Sequence, residues 1–339
     1  MNVSKRLGAT LLGLCLASPV MADGLTLKLE GGLAFNRGEN VGIFSLVRTP
    51  PDSATSQLDY SGGMPRGPLS FSYRAEGNWD VVLGNGTHMR LGGILSGQQG
   101  TSNETTPVYY IIMARPGGPE PEKPEAEIRV CSFPDPCAIF EGELSRSYRE
   151  VMPELMFGRD GAGGAMTWIG LQGFSGTLSE NTSNRGYNFP DANYIFDRTT
   201  LTELDADVTG LMLAVQQERP LASGMTLLLG AGLGRYNGDA TGLSVDPAVP
   251  LSAKPVSGSF DGTRAQLSVG IEKPIRKGMS LGASVRADYW SDQPRIQMDW
   301  SEPPCSPTIC EPPKGTGNFN LTTDPFTTLT FGLSLTFRM

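Results

Sequence analysis

The chain has 339 residues, with 27 Lys and Arg against 35 Asp and Glu, a formal net charge of −8 and one His. The acidic balance argues against nucleic-acid binding, and the single His argues against metal or acid–base sites that need two. Gly (43) and Pro (26) make up about a fifth of the chain; with strand-like runs between them they imply many strands joined by turns and loops. Helical periodicity is nearly absent.

Residues 1–22, "MNVSKRLGATLLGLCLASPVMA", place Lys5 and Arg6 before an apolar run and end on Val20-Met21-Ala22. This is the plan of a secretory signal peptide cleaved between Ala22 and Asp23. Cys15 makes a poor lipoprotein cysteine, because Leu14 precedes it and the apolar run continues past it. Removing Lys5 and Arg6 takes the formal charge from −8 to −10. The four remaining cysteines form two close pairs, Cys131 with Cys137 and Cys305 with Cys310, each in a Pro-containing loop. Export favours disulfides there, with a four-cysteine zinc site as the rival.

Stretches with one apolar face then recur along the chain. "GLTLKLEGGLAF" (24–35) aligns Leu25, Leu27, Leu29, Leu33 and Phe35. "LSFSYRAEGNWDVVL" (69–83) aligns Phe71, Tyr73, Ala75, Trp79, Val81 and Leu83, and "GNGT" turns it into "HMRLGGILS" (88–96). "YREVMPELMFG" (148–158) pairs with "AMTWIGLQGFSG" (165–176), "LDADVTGLMLAVQQ" (204–217) with "MTLLLGAGLGRY" (225–236), and "TRAQLSVGIEK" (263–273) with "MSLGASVRADYW" (279–290). "ERPLASGMTL" (218–227) and "EKPIRKGMSL" (272–281) align without gaps, an internal hairpin repeat that makes their turns equivalent. The chain closes on "FTTLTFGLSLTFRM", where Leu329, Phe331, Leu333, Leu335, Phe337 and Met339 alternate with small or polar residues.

No stretch approaches the roughly 20 apolar residues of a spanning helix. The count is ten antiparallel strands, four short turns and five long loops at about 37–69, 97–147, 177–200, 237–262 and 291–325. "VYYIIMA" (108–114) and "EIRVC" (127–131) would make twelve if they crossed a membrane, but each is shorter than a crossing needs and fits a hairpin above it. A secreted β-sandwich is the alternative fold, though its loops should be short on both sides.

Over the whole mature chain this pattern resembles the outer-membrane β-barrels of Gram-negative bacteria. The resemblance implies an all-β, transmembrane, up-and-down barrel with short periplasmic turns and extracellular loops. It also implies a C-terminal strand (Phe331, Leu333, Leu335, Phe337) read by the barrel-assembly machinery, with Arg338 and Met339 trailing the usual terminal aromatic. Phe157 and Phe337 on one side, and Phe35, Phe71 and Tyr289 on the other, suit aromatic girdles. Residues opposite the apolar face then line the lumen: Lys28, Glu30, Arg74, Glu76, Asp80, Arg90, Glu150, Glu154, Asp205, Asp207, Arg264, Glu272, Arg286 and Asp288. Both signs occur on neighbouring strands, so this charge can pair across a narrow interior.

The expected role is a porin-like narrow channel for small solutes. The alternative is a surface-exposed adhesin or binding protein with a plugged lumen and a host-surface ligand, and the third reading is a barrel enzyme without a histidine mechanism, built on Asp205 and Asp207. Outer-membrane lipid and the assembly machinery are the expected partners, with no cofactor. "SQLDY" (Ser56–Tyr60) is similar to a segment of the omptin proteases, which are also ten-stranded barrels. No His pairs with an Asp on later strands as their mechanism requires, and His88 reads as a solvated residue of a periplasmic turn.

Overall fold

The computed structural model describes residues 24–38, 41–45, 61–64, 67–108, 110–114, 126–130, 138–188, 197–245, 254–299 and 318–339. Residues 1–22, expected as a signal peptide, all the cysteines and Ser56–Tyr60 lie outside them. Among the described residues there are fourteen strands: β1 (Leu25–Arg37), β2 (Val41–Ser45), β3 (Ser61–Met64), β4 (Leu69–Gly84), β5 (Thr87–Val108), β6 (Tyr110–Ala114), β7 (Ala126–Val130), β8 (Ala138–Asp160), β9 (Met166–Asn188), β10 (Asp197–Pro220), β11 (Thr226–Val245), β12 (Lys254–Arg276), β13 (Met279–Asp299) and β14 (Asn318–Arg338). Ten of them close into an antiparallel ring in the order β1-β14-β13-β12-β11-β10-β9-β8-β5-β4. The segments 108–114 and 127–131 contribute β6 and β7, which pair only with each other, so the ring has ten strands and not twelve.

Closure is made by the terminal strands. β14 zips to β1 from Thr26↔Arg338 to Arg37↔Thr327, and β1 pairs on its other edge with β4. Through the lower part of the ring every strand is paired on both edges, as a sheet in hydrocarbon requires, because an unpaired N–H or C=O there has no water to turn to. The two-residue turn between β4 and β5 uses Asn85 (φ 51°) and Gly86 (φ 69°), the left-handed pair that such a hairpin needs. The two repeat-related turns lie at the same end of the barrel but differ in length: β10 to β11 spans Leu221–Met225, whereas β12 to β13 spans only Lys277-Gly278.

The side chains sort by solvent. Near the short turns the outward face is apolar: Leu29, Leu33 and Phe35; Phe71, Tyr73 and Trp79; Val151, Leu155 and Phe157; Ile169 and Leu171; Leu211, Leu213 and Val215; Leu267, Val269 and Ile271; Phe331 and Leu333 are all exposed. Phe35, Phe71, Phe157 and Tyr289 share this outward face, as girdle residues must. The strands are longer than the belt: β5 and β8 to β14 run 20 to 24 residues, whereas about 9–11 suffice to cross a bilayer. About half of each stands beyond it, and the ring carries strands into four of the five segments expected as loops: β5 to Val108, β9 to Asn188, β11 to Val245 and β13 to Asp299. A strand with water outside and protein inside lacks the greasy lipid face, so its sequence reads as loop.

A cation on the belt has no partner in lipid. Leu333→Arg, at a position 68% exposed on the closing strand, is expected to destabilise the barrel by about 2–4 kcal/mol, measured as the shift of a denaturant folding titration in lipid vesicles; Thr327→Arg, higher on the same face, should cost far less.

Candidate functional site

Alternation sends every second side chain of the ring inward, and ten strands make a barrel narrow enough for those side chains to meet. At the short-turn end, Arg90 of β5 donates to Asp80 (2.7 and 2.9 Å) and to Glu218 of β10 (2.9 Å). Its guanidinium lies 4.0 Å over the ring of Trp168, which is buried with Met156 and Ala214. Nearby, His88 Nε2 stands 3.3 Å from Asp160 Oδ2, beside the same indole. On the far wall, Glu272 of β12 takes Lys28 of β1 at 3.1 Å and Arg338 of β14 at 2.9 Å.

The next layer joins Arg286 to Glu30 (2.7 Å) and Arg74 to Glu76 (3.3 Å). Above it sits Arg264, fully buried, holding Glu150 of β8 through two bonds (2.6 and 3.1 Å) and Asp288 of β13 through two more (3.0 and 2.6 Å). Ser96 and the Tyr148 hydroxyl also donate to Glu150, at 2.8 and 3.0 Å. Trp290 and Phe174 cover the guanidinium at 4.2 and 4.8 Å. Only a planar fork can serve two carboxylates and stack on two rings at once.

Two contacts run straight across. β8 and β13 are five places apart in the ten-membered ring, so they face each other through the lumen. Tyr148 of β8 nonetheless meets Trp290 of β13 with ring centroids 5.7 Å apart, and Arg146 of β8 donates to Gln293 of β13 at 2.6 Å while holding Glu180 at 2.8 Å. Arg146 also lies 3.8 Å over Phe326 of β14. An ion pair of Arg295 with Asp324 adds to this upper layer. The cavity among these groups, bordered by Glu30, Arg74, Arg286, Asp288 and Gln293, has a volume of about 30 Å³, room for roughly two waters.

Twelve of the fourteen residues expected to line the lumen point into it. Asp205 and Asp207 do not. Leu204, Ala206 and Val208 take the inward positions on that part of β10, packed in one apolar cluster with Phe174, Leu178, Tyr236, Phe260 and Ile296. Asp205 and Asp207 face water outside, with Glu203, Asp239 and Asp261, and form an acidic collar directly above Leu211, Leu213, Leu233 and Leu267. Asp207 and Asp239 are direct cross-strand partners. The hydrolase reading built on Asp205 and Asp207 loses its inward-facing pair by this placement.

The sequence reading missed Arg146, Glu180 and Gln293, which lie in segments taken for loops, and Phe326, the first residue of the closing strand. The signal for them is a change of face in the apolar alternation. Leu171 to Phe174, Val208 to Leu211, Leu233 to Tyr236 and Phe260 to Ala265 are all odd spacings, and an odd spacing in a strand moves the apolar residue to the other side.

No known protein family matches the sequence, and no curated protein resembles it. Among solved structures, the outer membrane protease OmpT from Escherichia coli is similar with a TM-score of 0.50 and 8% identity, covering 94% of this chain and 98% of that one. The translocator domain of the autotransporter NalP from Neisseria meningitidis aligns with a TM-score of 0.34 and 7% identity over 99% and 97% of the two chains. A Pseudomonas aeruginosa FadL homologue aligns with 0.29 and 8% over 93% and 90%.

Removing the Arg264 side chain strands two buried carboxylates. Arg264→Met is expected to destabilise the barrel by about 3–5 kcal/mol, read from urea titrations, and adding Glu150→Gln with Asp288→Asn should restore more than half of the loss.

An apolar outer belt around a closed ring calls for lipid as its solvent, and the fold, similar to that of OmpT, is that of an outer-membrane β-barrel.

Proposed function

We propose that the protein is a closed barrel that works at its outer end as a surface-exposed binding protein, and that its lumen carries no solute. One observation carries this reading: Arg146 reaches Gln293 at 2.6 Å between strands half the ring apart. A pore wide enough for a solute has no side chain bonded across it. The Arg264 clamp and the Arg90–Trp168 layer close the same bore at two further depths. A porin-like channel would need all three to open together.

The extended upper strands and the acidic collar are then the working surface, and their charge suits a positively charged partner. The likeness to OmpT supports the fold alone. His88 sits at the short-turn end of the barrel, away from that surface, which supports binding over a histidine-based reaction there.

The test is electrical. The mature chain, refolded in detergent and inserted in a planar bilayer, is expected to show the gel shift of a closed barrel and no steady current steps. Reproducible steps from the wild-type barrel would refute a closed lumen. Truncating the plug with Arg146→Ala and Arg264→Ala together should produce measurable conductance. At the collar, D205N, D207N, D239N and D261N combined are expected to weaken binding of a lysine-rich peptide roughly tenfold at low salt, measured by fluorescence anisotropy.

A further inference from the structure

One row of the barrel wall is short of a positive charge. Asn78 on β4, Gly92 on β5, Glu154 on β8 and Gln172 on β9 are successive cross-strand partners, side by side around the ring. Asn78, Glu154 and Gln172 are buried, at 4%, 5% and 5% exposure. Gln172 donates to Glu154 Oε2 at 2.8 Å, and Asn78 Nδ2 donates to Glu76 Oε1 at 2.7 Å. That leaves Glu154 Oε1 and Asn78 Oδ1, both buried acceptors without a hydrogen-bond partner.

These two oxygens converge on one spot. A Cβ added to Gly92 would lie 2.1 Å from Asn78 Oδ1 and 2.9 Å from Glu154 Oε1. The missing side chain of Gly92 is therefore what lets Asn78 Oδ1 come in against the backbone beside Glu154 Oε1, and the space between the two oxygens is where a single bound atom could be shared. Turning the Asn78 amide over does not mend the row: its nitrogen would then serve Glu154 while its oxygen faced Glu76 Oε1. One amide between two carboxylates can donate toward only one of them.

Charge leads to the same place. The neighbouring cations are engaged, Arg74 with Glu76 and Arg90 with Asp80 and Glu218, and among the described residues no Lys or Arg forms an ion pair with Glu154. A buried carboxylate without a countercharge is strongly destabilising. Among the described residues no group of three His, Cys, Asp or Glu could hold a metal ion, and one carboxylate with one amide oxygen suits a small monovalent cation better than a divalent one.

We propose that the gap between these two oxygens, beside Gly92, binds a small monovalent cation such as sodium, with Glu154 Oε1 and Asn78 Oδ1 as its protein ligands and water completing the shell. The bound ion ties β4 to β8 across the strand that separates them, where no side chain can.

The test uses the mature barrel refolded in detergent, with thermal unfolding followed in sodium chloride and in tetramethylammonium chloride of equal ionic strength, the latter ion being too large for the gap. Sodium is expected to raise Tm saturably, by about 2–4 °C. Glu154→Gln keeps the shape and removes the charge, and Gly92→Ala puts a methyl group against Asn78 Oδ1 and drives that oxygen away from Glu154; both should fold, by gel shift, and lose the sodium-dependent rise. Should either variant fail to fold, the line width of the ²³Na resonance in the wild-type protein, broadened by binding and relieved by competing lithium, decides the matter. Equal Tm in the two salts overturns the proposal. So does a Tm that follows pH in the wild type alone and ignores sodium, since a proton on Glu154 bonded to Asn78 would then fill the gap.

Discussion

Ring closure is the constraint from which the rest follows. In hydrocarbon an open sheet edge cannot be hydrated, so the last strand must find the first and pair along its length. The register that does this, Leu27↔Phe337 through Phe35↔Leu329, also sets which side chains meet the lipid and which meet each other inside. Had β14 slipped by one residue, Leu329, Phe331 and Leu333 would point into a lumen full of charge and Thr328 and Thr330 into lipid. The closing strand carries the cleanest alternation in the sequence because it has the least freedom to be wrong.

Closure with ten strands leaves an interior that side chains can fill, and this chain fills it in two different ways. At the level of the belt the filling is ionic: Arg90, Lys28, Arg286, Arg74 and Arg264 each meet at least one carboxylate. Above the belt an apolar cluster joins in, with Leu178, Leu204, Ala206, Val208, Phe260 and Ile296 packed together beside the Arg146–Glu180 and Arg295–Asp324 pairs. The outer face makes the opposite change, from Leu211 and Leu213 to Asp205 and Asp207.

That double inversion explains what could be read from the sequence. The ring of ten, its short turns and most lumen charges were legible because lipid imposes a strict outward pattern, and whatever alternates with it must point in. The upper halves of the strands were not. There the apolar residues mark the inside, so carrying upward the rule that apolar residues face out turned Leu204, Ala206 and Val208 outward, assigned Asp205 and Asp207 to the lumen and took Arg146 and Gln293 for loop, whereas strict alternation from Leu211 and Leu213 keeps both aspartates outside. The cross-lumen contacts were beyond reach for a second reason: which inward side chains meet depends on strands half the ring apart, and no local spacing encodes that. The site at Gly92 is of the same kind, since it consists of a side chain that is absent between two strands' worth of neighbours.

The two fillings match the two solvents. Above the membrane the outside is water, so collecting Phe260, Tyr236 and Ile296 within the ring removes apolar surface from it, and the hydrophobic effect itself drives the upper barrel together. Within the membrane that drive is lost, because lipid tails solvate a leucine about as well as a protein core does. An apolar lumen there would not favour one closed arrangement over another. Paired charges do discriminate, since Arg264 satisfies Glu150 and Asp288 only when β8, β12 and β13 stand in their native positions. A mismatched ring would leave those charges stranded in a low-dielectric interior. Ionic layers in the belt and an apolar cluster above it are thus one solution to one problem, that of specifying a single closed ring when the solvent outside changes halfway up the wall.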